Sequence, residues 1–350
     1  MNGSEVELDV AIVGGGISGL VVADSLARAG KRVRLFEARP QLGGRIKSVP
    51  VAGGHADLGP TWFWPGEHRV IALVAELGLD VYDQWTTGDA LLVADGSARR
   101  LGGYAAPPAF RFSRGVQSLV DGLAERLPAG TVTLDCPVSR VEGNADRVVI
   151  HAKAEQVNAG AVVLALPPSL VIDQQLVDAA DLDAETAAVA ADIPVWMGAI
   201  AKAVAVYESP FWRDEGLSGM MSVPGGPFHE VHDMSGPDGS PAMLFGFGQA
   251  HPSGPPLTGE MFAAQLVSVF GAAAAEPLEL HSFDWSAETF TTPSGGPNSA
   301  RYELFGAPVF QRPQWDGRLF WSSTETATEA PGHIEGALCA AERVVRSLLP

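Results

Sequence analysis

Residues 9–37 read DVAIVGGGISGLVVADSLARAGKRVRLFE, and this stretch decides the fold of the amino-terminal part of the chain. An apolar strand runs into a glycine turn, a helix follows, and a second apolar strand ends at an acidic residue. Gly14 permits the tight turn, Gly16 lets the backbone approach a pyrophosphate, and Gly19 lets the helix pack closely on the strand. The stretch therefore predicts a βαβ unit that binds a dinucleotide.

Glu37, at the end of the second predicted strand, indicates which dinucleotide is bound. A carboxylate at this place accepts hydrogen bonds from both hydroxyls of a ribose and repels a 2′-phosphate. The free N–H groups and the positive end of the helix hold the phosphates. The motif predicts an adenosine without a 2′-phosphate, but by itself it does not separate FAD from NAD.

The composition limits the class of protein and its partners. The chain has 350 residues and a net charge of −18, which comes from 41 acidic and 23 basic side chains. Nucleic acid and anionic membranes repel such a chain, so neither is an expected partner. With 46% hydrophobic and 18% charged residues the chain is globular, and its length fits about two domains.

The cysteine pattern and the amino terminus predict a cytoplasmic protein. Cys136 and Cys339 are the two cysteines and form no CxxC pair, which argues against a disulfide framework or a cysteine zinc site. Residues 1–9 lack the basic and apolar regions of a signal peptide, and no apolar run is long enough to span a membrane. His229 and His232 do not have the HExxH spacing, so we expect no metal ion.

Two glycine-rich loops follow the first motif. Residues 38–45 (ARPQLGGR) end in Arg45, whose forked donors suit a phosphate. Residues 53–62 (GGHADLGPTW) come next and lead into the aromatic run 62–64. These three aromatic residues either line a substrate entrance or pack in the core.

Lys202 lies in the middle of a predicted buried strand, residues 199–207 (AIAKAVAVY), where it shares a face with Val204 and Val206. Burying its charge is costly, so the amine should be neutralised, paired or bound to water. The alternative is a lysine on an edge strand that reaches solvent.

Further elements are predicted from apolar periodicity and turn residues. Helices are predicted at 70–77, 116–127 and 334–348, and strands at 132–134, 138–141, 148–152, 161–165, 243–247 and 318–322. The rest of 224–256 is rich in Gly, Pro and Asp and is predicted to form loops.

Four blocks of the sequence resemble the flavin-containing amine oxidases, the family that includes monoamine and polyamine oxidases. They are residues 9–45, 57–78, Lys202 with the Pro-Phe-Trp at 210–212, and 322–349. The last block is the most specific, with TETA at 324–327 and GHIEG at 332–336. The resemblance implies FAD in an extended pose.

The resemblance also implies which residues meet the cofactor. Lys202 resembles the lysine that holds a water against flavin N5, and Trp285 the tryptophan that packs beside the ring. The pyrophosphate would meet Gly14, Gly16, Ser18 and Gly19, and the adenosine would meet Glu37 and Val138. The diphosphate and ribityl path would be lined by Ala38, Arg39, Gly43, Gly44, Arg45 and Glu325, and the isoalloxazine by Gly59, Pro60, Thr61, Trp62 and Ile334.

The chain departs from the family pattern in three places. Pro297 stands where monoamine oxidases carry the cysteine that links the flavin, so FAD should be bound non-covalently. Asn298 and His333 stand for the two tyrosines that cage an amine, and they offer hydrogen bonds instead, which argues against a simple hydrophobic monoamine. Residues 79–115 replace a larger helical subdomain of the relatives. The substrate face should therefore be open, and either a second subunit of a homodimer closes it or it suits a bulky substrate.

The predicted fold is α/β, a Rossmann-like FAD-binding domain of the glutathione-reductase type interleaved with a smaller substrate domain on a mixed sheet. The FAD-binding domain would take residues 1–60, 131–168 and 311–350, and the substrate domain 61–130 and 169–310.

The resemblance implies an amine as the small-molecule substrate, hydride transfer from the C–H beside its nitrogen to flavin N5, and reoxidation by O2 to give peroxide. Lys202, Trp285, Asn298 and His333 would be the catalytic residues. Two alternatives remain open. One is an FAD-dependent desaturase or dehydrogenase of a biosynthetic intermediate, and the other is a non-catalytic flavin-binding subunit.

Overall fold

The computed structural model describes residues 7–103, 106–143, 146–153, 155–250, 254–294 and 301–349. The strands are β1 (Leu8–Val13), β2 (Val33–Phe36), β3 (Ser48–Val51), β4 (Gly54–Asp57), β5 (Val81–Asp83), β6 (Asp89–Ala94), β7 (Ser97–Leu101), β8 (Phe110–Phe112), β9 (Val132–Thr133), β10 (Val138–Gly143), β11 (Val148–Ala152), β12 (Glu155–Leu164), β13 (Ile200–Tyr207), β14 (Leu217–Ser222), β15 (Glu230–Asp233), β16 (Ala242–Gln249), β17 (Glu279–Asp284) and β18 (Leu319–Trp321). The α-helices are α1 (Ile17–Arg28), α2 (His68–Leu77), α3 (Gln117–Ala124), α4 (Pro168–Asp173), α5 (Ala184–Asp192), α6 (Phe211–Asp214), α7 (Gly259–Phe270) and α8 (Ile334–Leu348).

The predicted βαβ unit lies at the centre of the first sheet. β1 pairs in parallel with β2 on one side and with β12 on the other, and β9 extends the parallel part beyond β2. The carboxyl-terminal half of β12 pairs in parallel with β18, and its amino-terminal half pairs with β11 in an antiparallel ribbon that continues to β10. Both faces of β1 are buried, as expected for a parallel sheet covered by helices.

Helices cover both faces of this sheet. On one face α1, α2, α3 and α8 enclose a core that includes Leu20, Val70, Leu119 and Leu338. On the other face Ala190 of α5 packs with the strands and with Trp321. The predicted division into domains placed 61–130 in the substrate domain, whereas α2 and α3 pack here with α1 and α8. The division remains a prediction, and α2 and α3 belong to the packing around the first sheet.

The second sheet is mixed and runs in the order β17-β13-β16-β15-β14-β6-β7. All its pairs are antiparallel except β14 with β6. β13 lies between β16 and β17, so Lys202 is in an interior strand and not at an edge. On one face of the sheet Val204 and Val206 pack with Phe245, and on the other Ala203 and Ala205 pack with Phe262 of α7.

Some local predictions differ from the structure. Residues 230–233 form β15, where loops were predicted, because an alternating pattern this short is hidden among the surrounding Gly and Pro. α3 ends at Ala124, three residues short of the predicted end at 127, in the turn before Pro128. Within residues 79–103 and 106–115 the chain forms β5, β6, β7 and β8, and no helix. Among the residues described, no helix combines the length and apolar character needed to cross a bilayer.

Candidate active site

A long cavity lies between the two sheets. One end is formed by the glycine turn after β1 and the end of β2, and the other by an aromatic cluster at Trp62, Trp64 and Trp196. The segment 59–62 and the start of α8 form the walls between them. A parallel α/β sheet binds ligands at the carboxyl ends of its strands, which is where this cavity opens.

The glycine turn provides room for a ligand. Gly16 precedes α1, and a Cβ added to it would come no closer than 3.9 Å to Gly43 O and Gly44 Cα, so the space beside the first turn of α1 is open. Gly19 has a different task, because a Cβ there would overlap the carbonyl oxygen of Gly14. The Glu37 carboxylate accepts the N–H of Gly15 at 2.7 Å and is buried in the cavity wall.

Two arginines supply positive charge along the cavity. Arg39 donates through Nη2 to Thr291 Oγ1 at 2.7 Å, while its buried Nε has no hydrogen-bond partner. Arg45 forms a forked pair with the fully buried Glu325, with N···O distances of 2.5 and 3.0 Å. Arg39 Nη2 also lies 3.3 Å from Glu288 Oε1. An unpartnered buried guanidinium nitrogen on a residue that lines the same cavity as the open glycine turn fits the diphosphate of a dinucleotide such as FAD.

Lys202 lies behind the cavity wall and is fully buried. Its Nζ donates to the Gly59 carbonyl at 2.7 Å and to Thr61 Oγ1, which holds the segment 59–61 from behind. The rings of Phe245 and Phe247 lie 4.5 and 4.9 Å from Nζ. Burial places the pKa of Lys202 well below its ordinary value, and the nearby Asp57 carboxylate only partly opposes this.

Asp57 and Arg111 form a second buried charged pair next to Lys202. The Arg111 Nη2 to Asp57 Oδ2 distance is 3.5 Å, and Asp57 Oδ1 accepts from Ser48 Oγ and Val116 N at 2.6 and 3.0 Å. Burial raises the pKa of Asp57, and Arg111 is the main group that opposes the rise. The pair fixes β4 against α3, close to the segment that Lys202 holds.

We expect the difference in unfolding free energy between Lys202→Met and the wild type to change with pH. Burial lowers the pKa of Lys202 in the folded state below its unfolded value, so the unfolded state binds more protons there and wild-type stability rises as the pH approaches 10.5. Methionine has no such dependence. The stability of the variant relative to the wild type should therefore fall by up to about 1.4 kcal/mol per pH unit. Denaturant unfolding at about pH 7.5 and 9.5 measures it, and a difference that does not change with pH would contradict this account.

The aromatic end of the cavity carries polar groups. His333, the residue before α8, stacks on Trp64 with ring centroids 4.9 Å apart, and its Nδ1 is 2.8 Å from Glu67 Oε1. Trp196 lies 6.4 Å from the His333 ring. Trp285 is buried in the wall, where its Nε1 donates to the Leu58 carbonyl at 2.9 Å. This end can therefore hold an organic group between flat rings and present hydrogen bonds to it.

The chain matches the family model "Flavin containing amine oxidoreductase" over residues 17–101 and 91–349. The chain belongs to this family. It is an enzyme, and its cofactor is FAD. It is 26% identical over 445 aligned positions to a putative flavin-containing monoamine oxidase, AofH, of Mycobacterium tuberculosis, covering 96% of this chain and 95% of that protein. It is 25% identical to a putrescine oxidase of Kocuria rosea, covering 96% and 94%.

Solved structures show the same fold. A putrescine oxidase double mutant superposes with a TM-score of 0.83 at 22% identity and covers 98% of this chain and 99% of that one. Cyclohexylamine oxidase from Brevibacterium oxydans superposes with a TM-score of 0.84 at 19% identity, covering 97% and 98%. The predicted α/β architecture of this flavin amine oxidoreductase, with a FAD-binding domain and a mixed-sheet substrate domain, is thereby confirmed.

Most residues predicted for FAD binding in this family member line the cavity. They are Gly14, Gly16, Ser18, Glu37, Ala38, Arg39, Gly43, Gly44, Arg45, Gly59, Pro60, Thr61, Trp62, Val138 and Ile334. Gly19 and Glu325 do not line it: Gly19 packs α1 on β1, and Glu325 orients Arg45. Of the predicted catalytic residues, Trp285 and His333 line the cavity, Lys202 contacts its wall, and Asn298, like Pro297, falls outside the described residues.

Several cavity residues escaped the sequence prediction. Glu67 and Trp196 belong to no motif, and each reaches the cavity only through long-range packing. In the aromatic run 62–64, Trp62 and Trp64 line the cavity and Phe63 packs in the core. The two predicted alternatives, cavity lining and core packing, therefore each apply to part of the run. His229 lies beside β15 and His232 within it, and no described group of three or more His, Cys, Asp or Glu side chains is arranged to hold a metal.

Proposed function

We propose that this enzyme oxidises the C–H next to an amine nitrogen, with FAD bound non-covalently along the cavity. The observation that carries the proposal is the continuity of the cavity from the open glycine turn at Gly16 to the aromatic end at His333. The first end suits a dinucleotide, and the second suits a small organic molecule with a polar group. The family to which the chain belongs supports the same reaction class.

The chain's own residues would hold the cofactor by complementary charge and shape. The first N–H groups of α1, beside Gly16, would face the diphosphate, and Arg39, which lines the same cavity, has an unpartnered Nε. Glu37 would accept from the ribose hydroxyls, as its position at the end of β2 predicts. Arg45 would add charge along the ribityl path, held in place by Glu325.

At the reacting end, Lys202 and the segment it holds would position the flavin ring. The FAD held there would supply the acceptor for the substrate's hydride, and O2 would serve as the final electron acceptor and give peroxide. Lys202 keeps Gly59 and Thr61 in place, and burial lowers the pKa of its amine well below the ordinary value. The rings of Trp64 and Trp196 would exclude water from the reacting carbon.

Cys136 and Cys339 are free and buried, which supports a non-covalent flavin and a reducing, cytoplasmic location. Residues 79–103 and 106–115 form short strands at the place where the relatives carry a larger helical subdomain. This supports an open substrate face. A homodimer that covers this face belongs to the same proposal.

The purified protein tests the proposal directly. We expect a yellow protein whose flavin is released by acid, is bleached by primary amines without oxygen, and yields peroxide and ammonia in air. A protein that is colourless and takes up no FAD would overturn it. Bleaching by alcohols or alkene precursors but by no amine would favour the desaturase alternative, and bleaching by no small molecule at all would favour the flavin-binding subunit.

A further inference from the structure

The Glu67–His333 pair is built as an oriented imidazole facing the substrate end of the cavity. Glu67 is largely buried, with 9% of its side chain exposed, while 36% of the His333 side chain is exposed. The second Glu67 oxygen accepts the N–H of Trp64 at 2.9 Å, so the carboxylate is fixed at both ends. Both side chains of the pair line the cavity.

The hydrogen bond between the two residues determines which ring nitrogen is available. A carboxylate accepts hydrogen bonds, so Nδ1 of His333 donates to Glu67 Oε1, and Nε2 of the neutral ring keeps its lone pair. Nε2 makes no hydrogen bond to any residue in the described part of the chain.

The backbone holds this pair rigidly. The His333 carbonyl accepts from Thr324 Oγ1 at 2.8 Å. In the first turn of α8, Glu335 accepts the N–H groups of Arg69 and Val70, both at 3.0 Å through one of its carboxylate oxygens, and so joins the start of α8 to the start of α2. The ring therefore stays in one place between Trp64 and Trp196.

The arginines near the Glu67–His333 pair form ion pairs with other carboxylates. Arg69 pairs with the carboxylates of Glu329, Glu335 and Glu342. Arg45 pairs with Glu325 next to Trp196. The titratable and charged groups on the segments nearest His333 include Glu67, His68, Arg69, Glu329, Glu335 and the Arg45–Glu325 pair, and α8 and α2 carry Cys339, Glu342, Arg343, Arg346 and Glu76 further along. Glu67 is the one among them that contacts the imidazole directly.

We propose that His333, oriented by Glu67, removes a proton from the substrate ammonium before oxidation. In this step an N–H bond of the ammonium breaks, its electron pair stays on the amine nitrogen, and the lone pair of Nε2 forms a new N–H bond. No electron passes to another group. The inference rests on the proposed amine oxidation and adds a catalytic base and its positioning residue to it.

The physical need for this base is clear at neutral pH. An alkylammonium has a pKa of about 10.4, so at pH 7 roughly one molecule in a few thousand is the free amine. Hydride departure needs the nitrogen lone pair, which the ammonium lacks. A base in the site lets the enzyme use the abundant ammonium, and general base catalysis is typically worth about 100-fold or more.

The pH dependence of kcat/KM for an amine tests the proposal. We expect His333→Gln to lower kcat/KM about 100-fold near pH 7, and the loss to shrink as the pH approaches the substrate's own pKa of about 10.4, where half of the amine is already deprotonated. Glu67→Gln should show a smaller loss with the same shape. His281→Gln is the matched control, because His281 forms a similar pair with Glu279 on β17, with an N···O distance of 2.9 Å, outside the cavity lining. Profiles that run parallel at every pH, or no loss at all, would overturn the proposal.

A spectroscopic measurement tests the contact between the ammonium and Nε2 without turnover. The probe is tert-butylamine, which has no C–H beside its nitrogen and cannot be oxidised in this way. In ¹⁵N-histidine-labelled holoenzyme at about pH 8, the imidazole Nε2 signal that is missing in His333→Gln should shift when the probe binds, because its ammonium donates a hydrogen bond to Nε2. An unchanged signal at saturating probe contradicts the proposal. If no amine bleaches the wild-type flavin at any pH, the proposed oxidation fails together with the inference, whereas bleaching with parallel pH profiles removes the inference alone.

Discussion

Lys202→Met is expected to retain FAD and to slow both flavin reduction by amines and reoxidation by about 100-fold. In the wild type, Nζ holds the Gly59 carbonyl and Thr61 Oγ1, so its loss frees the segment proposed to border the flavin ring. Methionine has a similar length and fills the same apolar space between Phe245 and Phe247. Anaerobic stopped-flow reduction, followed by mixing with oxygen, measures the two steps separately.

Lys47→Met is the matched control for this experiment. Lys47 also has its amine over an aromatic ring, 4.7 Å from the centroid of Phe283, but it does not line the cavity or contact segment 59–61 through its side chain. We expect its kinetics to match those of the wild type. Unchanged kinetics in Lys202→Met, with FAD bound, would remove Lys202 from the mechanism.

Alanine substitutions at Gly16 and Gly19, in the same turn, should give two different defects: the first in FAD binding and the second in stability. In Gly16→Ala the new methyl meets no atom of the protein closer than 3.9 Å, and the φ of −73° suits alanine. The methyl would occupy the space proposed for the diphosphate. We expect a normally folded protein with FAD affinity at least tenfold weaker, about 1.4 kcal/mol. Unfolding curves and titration with FAD measure the two quantities.

Gly19→Ala should act on the fold first. Its Cβ would overlap the Gly14 carbonyl oxygen and lie 3.1 Å from Ala165 Cβ, so α1 has to move away from β1. Overpacking of this kind typically costs about 1–3 kcal/mol, and a clash with backbone belongs at the upper end. If Gly16→Ala binds FAD as tightly as the wild type, the diphosphate does not lie against the first turn of α1.

The sequence was most informative where local pattern and chemistry coincide. The turn at 14–19 could be read because strand, glycine spacing, helix and Glu37 all follow one another within one short stretch. Lys202 could be singled out because alternation along 199–207 places it on an apolar face. The final helix was found for the same reason, and its observed bounds, Ile334–Leu348, are those predicted.

The sequence predicted less where a residue does not belong to a periodic apolar pattern. Phe63 and Trp64 are adjacent and aromatic, and the sequence does not distinguish them, yet the first packs with Phe110 and Phe112 and the second stacks on His333. Their separation follows from the direction of each side chain in the folded chain. The same holds for β15, whose edges are set by pairing with β14 and β16 rather than by its own residues.

The sequence by itself determined the βαβ unit, the apolar strand face that carries Lys202 and the dinucleotide class of the cofactor, because short-range geometry requires glycine, alternation and a terminal carboxylate at fixed spacings. That Lys202 is in an interior strand was decided by the pairing of β13 with β16 and β17. Only the tertiary structure decided which side chains meet at the reacting end. Glu67 reaches His333 across 266 residues, and Arg45 reaches Glu325 across 280. Such pairs form because the starts of α2 and α8 and the end of β18 converge on one cavity, and no local pattern records that convergence.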